Sequence, residues 1–415
     1  MSGRRAERPP DLERAVRNIL DEVRTGGDAA VIRFTERFDH AELGPEDLRV
    51  DPRELEGSLG VLERGVLDGL RTAIANVKAV GRAQLREAVA VDLPEGQRVE
   101  VAEVPVRRAG VYVPGGRAPY PSTVVMAAVT ARVAGVEQVA VCAPPGPGGR
   151  AHPVILAACV LCGVSEVYRM GGAQAIAALA YGTESVPAVD VIVGPGNPWV
   201  TEAKRQVYGQ VGIDALAGPS ELAVLATAGA DPELVALDLL AQAEHGPDSP
   251  LWVVSPERAL LDAVERAFAR RGGAERPAPD AAGRTASAHG AELQPIEVES
   301  ALAGLRVVED LAPEHLELVG EEAEALADRV TRAGCVFVGR GAGTAFGDYV
   351  AGSNHVLPTG GAARFGSALS PATFRRRMAR VSLPGEAPAR LAPAGAALAR
   401  AEGFPLHAES MERRA

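Results

Sequence analysis

Chemistry-bearing residues are scarce in this 415-residue chain and fall into a few short clusters. Gln242 and His245 lie three apart at the end of an apolar helical run, so both would project from one helix face. An imidazole and an amide oxygen on one face can share a metal, although a Gln amide is a modest ligand that needs stronger partners. The plain alternative is a helix C-terminus with an exposed histidine near the negative end of the dipole. Glu314-His315 sets a carboxylic acid beside an imidazole between Leu311, Leu316 and Leu318. Burying both polar groups there is costly unless they have partners or a task. Glu and His are the usual acid–base pair, and an apolar setting tunes their pKa toward neutrality. The competing possibility is a helix start with an exposed Glu after Pro313. Asp348, before the glycine-hinged loop Gly352-Ser-Asn-His355, offers the hard anionic oxygen that a site holding Gln242 and His245 lacks. By itself, His407 in Glu402-Gly-Phe-Pro-Leu-His407 is an unremarkable tail histidine.

Glycine turns supply a second kind of site. The dinucleotide fingerprint G-x-G-x-x-G is missing: Gly339-Arg-Gly-Ala-Gly343 comes nearest, with Thr344 where its third glycine belongs. Pro114-Gly-Gly116, Gly171-Gly172 and Gly194-Pro-Gly-Asn197 each follow an apolar strand. Open α/β sheets bind ligands at that end of their strands, and the last turn leads into a helix N-terminus suited to a phosphate. Any one of these could equally be a plain tight turn.

The elements that must position these groups are legible as alternating patterns. Leu12, Val16, Ile19, Leu20 and Val23 recur at helical spacing, Thr25-Gly-Gly-Asp28 interrupts, and a second helix is expected from Ala29 with Asp28 as its N-cap. From Gly110 to Tyr208, short strands alternate with helices, which implies βαβ units and a parallel sheet. The α/β pattern continues from Glu221 to Arg340, broken by a poorly periodic stretch, Arg271 to Gly290, expected as a mobile loop or eroded element. Past Pro371 the chain turns basic, with helices expected over Phe374–Arg380 and Gly395–Glu402.

Bulk properties exclude several classes. The formal charge is −11 with no offsetting basic stripe, which argues against nucleic acid. Cys159 and Cys162 form a lone C-x-x-C inside an apolar run, without the second pair a zinc ribbon needs, so buried thiols in a reducing cytosol are expected. No apolar stretch reaches the ~20 residues of a membrane span, and the Arg- and Pro-rich N-terminus lacks a secretory core. A cytoplasmic protein is expected.

Taken together, the motifs resemble the histidinol dehydrogenase family. The matching segments are Gly110-Val-Tyr-Val-Pro-Gly-Gly116, Ala118-Pro-Tyr-Pro-Ser-Thr123, Gly171-Gly-Ala-Gln-Ala-Ile176, Gly194-Pro-Gly-Asn197 and Thr201-Glu-Ala-Lys204. They continue through Ala217-Gly-Pro-Ser-Glu221, Gln242-Ala-Glu-His245, Ala312-Pro-Glu-His-Leu-Glu317, Ser353-Asn-His-Val-Leu-Pro-Thr359 and the tail Glu402–His407. The resemblance runs in order from about Leu12 to Ala408.

It implies two Rossmann-like parallel-sheet domains of the aldehyde-dehydrogenase type without the usual fingerprint, a helical N-terminal segment and a C-terminal arm. The implied division is 1–24, 25–109 with 220–369 (metal and catalysis), 110–219 (NAD) and 370–415 (arm). One Zn2+ per site would be held by Gln242, His245, Asp348 and His407. Ser220 and Glu402 would join Gln242, His245, His315, Asp348 and His407 in contacting substrate, with Ser122 and His355 as further candidates. Tyr112, Gln174 and Asn197 would contact NAD+. The implied reaction oxidises L-histidinol to L-histidine with two NAD+, as the last step of histidine biosynthesis. His315 would accept the alcohol proton, and Glu314 would activate water against the held aldehyde. In that family two subunits interlock and the arm reaches the partner's site. Gly246 departs from an acidic residue common in the family. The rival implication is a related zinc- and NAD-linked dehydrogenase of another small polar alcohol, such as a sulfonated diol. More distant rivals are a catalytically silent metal-stabilised dimer and a zinc hydrolase.

Overall fold

The computed structural model of the chain describes residues 10–115, 118–272, 285–286 and 290–415. Gly116, Arg117 and most of the 271–290 stretch therefore lie outside the described residues. A five-stranded parallel sheet runs, in spatial order, Glu166–Arg169, Gln138–Ala143, Arg108–Tyr112, Val191–Val193, Gly212–Ile213. A second sheet runs Thr285–Ala286, Glu292–Glu297, Leu251–Ser255, Leu222–Ala226, His315–Val319, Cys335–Val338. Only its Thr285–Ala286 edge is antiparallel. Numbered along the chain, the five parallel strands of each sheet follow the same order, 3-2-1-4-5. Each thus has a topological switch point beside its first strand, the doubly wound arrangement.

Both faces of each sheet are covered, so alternate residues of a strand feed different cores. Val139 and Val141 point into one core with helices Arg64–Ala83 and Pro153–Leu161. Ala140 and Cys142 join the opposite core with helices Pro10–Asp39, Gly172–Tyr181 and Pro198–Val207. In the second sheet, Leu222 and Val224 pack under helices Pro232–Ala243 and Arg258–Arg271, and Ala223 and Leu225 under Ala301–Leu311. Each fully buried Leu or Val contributes about 1.5–3 kcal/mol. Cys142, Cys159 and Cys162 are buried free thiols.

Two local expectations are corrected. Helix Pro10–Asp39 is kinked at Gly27 (φ 53°, ψ −140°), as the glycine pair predicts, but Asp28 does not cap the second half. Its carboxylate accepts from the Thr183 and Ser185 hydroxyls, pinning the kink to the loop after Tyr181. The helix expected over Phe374–Arg380 is a strand, Arg375–Ser382, paired antiparallel with Arg98–Pro105, which in turn pairs with Val89–Asp92. Extended backbone lets Arg375 and Arg380 alternate along the ribbon and reach the Glu103 carbonyl and the Glu100 carboxylate. Beyond it, helices Ala387–Ala401 and Pro405–Glu412 pack on each other through Ala396, Ala399, Ala408 and Met411. Leu406 (75 % exposed), Leu398 and Phe404 are left bare. No described helix is long and apolar enough to cross a membrane.

Candidate active site

The acid–base pair enters the second sheet at the amino end of a central strand. Ala312, in a left-handed conformation (φ 48°), ends the preceding helix. Pro313-Glu314 then leads into His315–Val319, whose first residue pairs with Leu222 on one side and Cys335 on the other. Glu314 and His315 are thus buried in a strand start, not exposed at a helix start.

Ser220 and Glu221 approach from the adjacent strand end. The Ser220 hydroxyl and the Glu221 backbone N–H both donate to Glu314 Oε2, at 2.5 and 2.9 Å. Gln242 Nε2 donates to Ser220 Oγ at 2.6 Å, so a buried relay runs from the metal-candidate helix to the acid. His315 Nδ1 lies 3.1 Å from the Glu221 carbonyl, which can only accept, so Nδ1 carries the proton and Nε2 has the free lone pair. Burial pushes Glu314 up to about 8 against the opposing pull of its two donors. It pushes His315 down to about 4, with Asp348 opposing.

Asp348 stands between the two histidines: Oδ1 is 3.8 Å from His315 Nε2, and Oδ2 is 3.9 Å from His245 Nε2. Burial alone would raise its pKa, but His245, His315 and His355 outweigh it and hold the carboxyl below the usual range. His355 donates from Nδ1 to the Asp348 carbonyl at 2.9 Å, and burial lowers its pKa. Its Nε2 sits 3.5 Å from Thr123 Oγ1, next to Ser122. Asn354 ties the same loop to the first domain through the Met126 carbonyl.

The donor set has an unmet demand that a metal would fill. Gln242 is buried, its amide N–H is used on Ser220, and its Oε1 has no partner. A buried amide oxygen left open costs about 1–3 kcal/mol unless something accepts its lone pair. That oxygen, an imidazole and a carboxylate held ionised are donor types that suit zinc. Among the described residues no three His, Cys, Asp or Glu side chains converge on a metal position; Gln242, His245 and Asp348 are the candidate donors. His407 and Glu402 are not brought to it. Both are exposed on the arm, where the His407 ring stacks on Phe404 at 5.2 Å.

The nucleotide candidates sit at the carboxyl ends of the other sheet. Tyr112 ends the first strand and accepts from the Gly172 N–H at 3.2 Å; burial raises its pKa. Gln174, 1 % exposed, has neither amide atom partnered. Asn197 is exposed and already caps helix Pro198–Val207 through the Trp199 and Val200 N–H groups. Beside it, Lys204 and Asp214 form a buried ion pair that grips both ends of the Gly194 peptide. A Cβ at Gly194 (φ 118°) would lie 2.1 Å from the Tyr112 carbonyl oxygen, so only glycine fits this switch point.

Two participants escaped the sequence reading. Glu221 supplies the carbonyl that sets the His315 tautomer, and its own buried carboxyl, raised to about 7 by burial, accepts from the Gly360 N–H. Glu317 is buried two residues beyond His315 and binds Thr344. Both lie in the matched motifs, where their residue type alone signals no role.

Comparison with known proteins gives the family and the fold. The histidinol dehydrogenase family model matches residues 2–415. The chain is 46 % identical over 404 residues to histidinol dehydrogenase of Parasynechococcus marenigrum, covering 97 % of this chain and 91 % of that protein. It is 44 % identical over 402 residues to the enzyme of that name from a Synechococcus strain, covering 97 % and 92 %. Its fold is similar to the crystal structure of histidinol dehydrogenase from Elizabethkingia anophelis, with TM-score 0.91, 32 % identity and coverage of 99 % and 94 %.

Proposed function

The chain belongs to the histidinol dehydrogenase family, and from that premise we propose that it oxidises L-histidinol to L-histidine through histidinaldehyde, with two NAD+ and one zinc ion per site. The reaction would close histidine biosynthesis in the cytoplasm, where the buried thiols stay reduced. The rival dehydrogenase of a sulfonated diol is not favoured. The observation that carries the residue assignment is the buried relay Gln242–Ser220–Glu314, with Glu221 fixing His315 and Asp348 facing both His315 and His245.

When bound, zinc supplies a charge that holds the substrate's imidazole and amine, and NAD+ supplies the hydride acceptor. Gln242, His245 and Asp348 are the ligands offered by one chain. His315 enters neutral, because burial disfavours its charged form, and its Nε2 can take the alcohol proton. Glu314 binds its two donors through Oε2; in its ionised form, which burial delays to about pH 8, Oε1 is left to take a proton from water. Ser220 bridges Gln242 and Glu314, so a substrate contact there would report on both. Tyr112, Gln174 and Asn197 are the proposed NAD+ contacts, supported by their place beside the switch point and by the two unpartnered atoms of Gln174.

Residues 110–219 form the proposed NAD-binding unit and 220–369 the core of the metal-bearing unit. The resemblance groups 25–109 with the latter; side chains from Leu12 to Val77 also pack against the five-stranded sheet. The arm after residue 370 is proposed to complete the site of a second copy, bringing Glu402 and His407. Its bare Leu398, Phe404 and Leu406 and the exposed, Phe404-stacked His407 support this.

Two measurements test the proposal. Two NADH should form per histidinol consumed; a ratio of one, or no NADH, would sink the reaction. Glu314→Gln and His407→Asn chains, unfolded and refolded together in equal amounts, should regain about a quarter of wild-type sites if arms cross in a twofold dimer. No recovery would count against a shared site.

A further inference from the structure

We propose that Glu317 and Asp238 are positioning residues that set the spacing of Gln242, His245 and Asp348. This rests on the metal-site reading above. Gln242 sits in helix Pro232–Ala243, His245 in the turn just past its end, Asp348 in a second short helix, and the base His315 on a strand. Something must fix these elements against one another, because outer contacts of this kind commonly govern metal affinity.

Glu317 occupies the same strand face as His315, two residues on. Its Oε1 accepts from both the backbone N–H and the hydroxyl of Thr344, at 2.8 and 2.5 Å. Thr344 is the first residue of helix Thr344–Tyr349 and stands one turn before Asp348. Asp238 stands one turn before Gln242 on helix Pro232–Ala243. Gly343 closes the triangle: a Cβ there would lie 2.9 Å from Asp238 Oδ1. One carboxyl pair therefore touches or abuts every element that carries a proposed ligand.

Glu317 is buried at real cost, and Asp238 beside it is half-buried. Glu317 is 1 % exposed, between Leu316 and Leu318, and its Oε2 has no partner. Asp238 and Glu317 line a cavity of about 10 Å3 together with Leu234, Val235, Gly343 and the charged Asp231 and Arg340, room for about one water. Burial raises both carboxyls, Glu317 further through repulsion by Asp238. An apolar residue would fill this space at lower cost but could not take both Thr344 donors, so the acid is retained for what it holds.

The test is zinc affinity of metal-stripped full-length protein by competition with a fluorescent chelator, alongside melting temperature and the kcat and KM for histidinol. Glu317→Ala should weaken zinc binding about 10- to 100-fold and raise KM more than it lowers kcat. Glu317→Gln keeps an acceptor for Thr344 and should bind zinc within about threefold of wild type. Thr344→Val, which loses only the hydroxyl donor, should fall between the two. Should Glu317→Ala fail to fold, the other two variants decide. A purely structural role would lower the melting temperature while leaving zinc affinity untouched, and that result in Thr344→Val or Glu317→Ala overturns the positioning role. Loss of zinc binding in Asp348→Asn with wild-type affinity in the Glu317 and Thr344 variants would keep the metal site and reject the pair. Absence of zinc binding by the wild type would overturn both.

Discussion

Replacing Glu314 by Gln separates its proton chemistry from its hydrogen bonds. The Ser220 hydroxyl and the Glu221 N–H both donate to one carboxyl oxygen, and an amide oxygen at that position would accept the same pair. What the variant loses is ionisation. An unfolded Glu ionises near 4.5, whereas burial makes the folded chain keep this proton until about 8. Below 4.5 both states are protonated, so the group adds no pH dependence. Between 4.5 and 8 the unfolded state binds fewer protons, and stability falls as pH rises, by up to about tenfold in the folding constant per pH unit. Above 8 both are ionised and the slope ends. The ceiling across the window is about 5 kcal/mol, and local solvent relaxation lowers it. In urea titrations of metal-stripped protein at pH 5.5 and 8.5, Glu314→Gln should therefore gain stability relative to wild type as pH rises. Its kcat should fall about 100- to 10,000-fold, the usual share of a general base. Parallel pH profiles for the two proteins would refute the burial argument, and a kcat above a tenth of wild type would refute the catalytic role.

Two other substitutions test the nucleotide side. Gln174→Leu removes two buried unpartnered amide atoms, so thermal unfolding should stay level or rise while NAD+ affinity, by titration, falls at least about tenfold; unchanged NAD+ binding would remove Gln174 from the contact set. Lys204→Met leaves Asp214 buried without its cation and should cost about 3–5 kcal/mol in urea unfolding. Lys204→Met with Asp214→Asn should recover part of that cost, since Asn still accepts from the Gly194 N–H; a single-variant loss under about 1 kcal/mol would refute the pinning of Gly194.

The sites most open to sequence reading are those where an unusual residue type interrupts an apolar pattern at a place periodicity already marks. Gly194 at a strand end and Glu314-His315 between leucines are of this kind, and the structure supplies the reason in each case: a 2.1 Å Cβ clash and a burial that demands partners. Glu317 shows where such reading fails. In His315-Leu-Glu-Leu-Val, strict alternation sends Leu316 and Leu318 inward and His315, Glu317 and Val319 outward, which would excuse Glu317 as a solvated residue. That inference holds for a sheet with one wet face. Here helices cover both faces, so the outward side is a second interior, and both His315 and Glu317 are buried on it. The same fact makes His315 and Glu317 one problem. A strand that must be dry on both sides can carry two polar side chains only if each has fixed partners, and their partners, the Glu221 carbonyl and Thr344, belong to the elements leading to Ser220 and to Asp348. The Arg375–Ser382 strand fails in the opposite sense: its ribbon is largely exposed, no apolar alternation is required of it, and a basic run reads as helix until Glu100 and Glu103 are found across from it. His407 is the limiting case. Nothing within one chain gives it a partner other than Phe404 among the described residues, so any metal role must come from outside the chain's own fold, and refolding the Glu314→Gln and His407→Asn chains together asks that of the molecule directly.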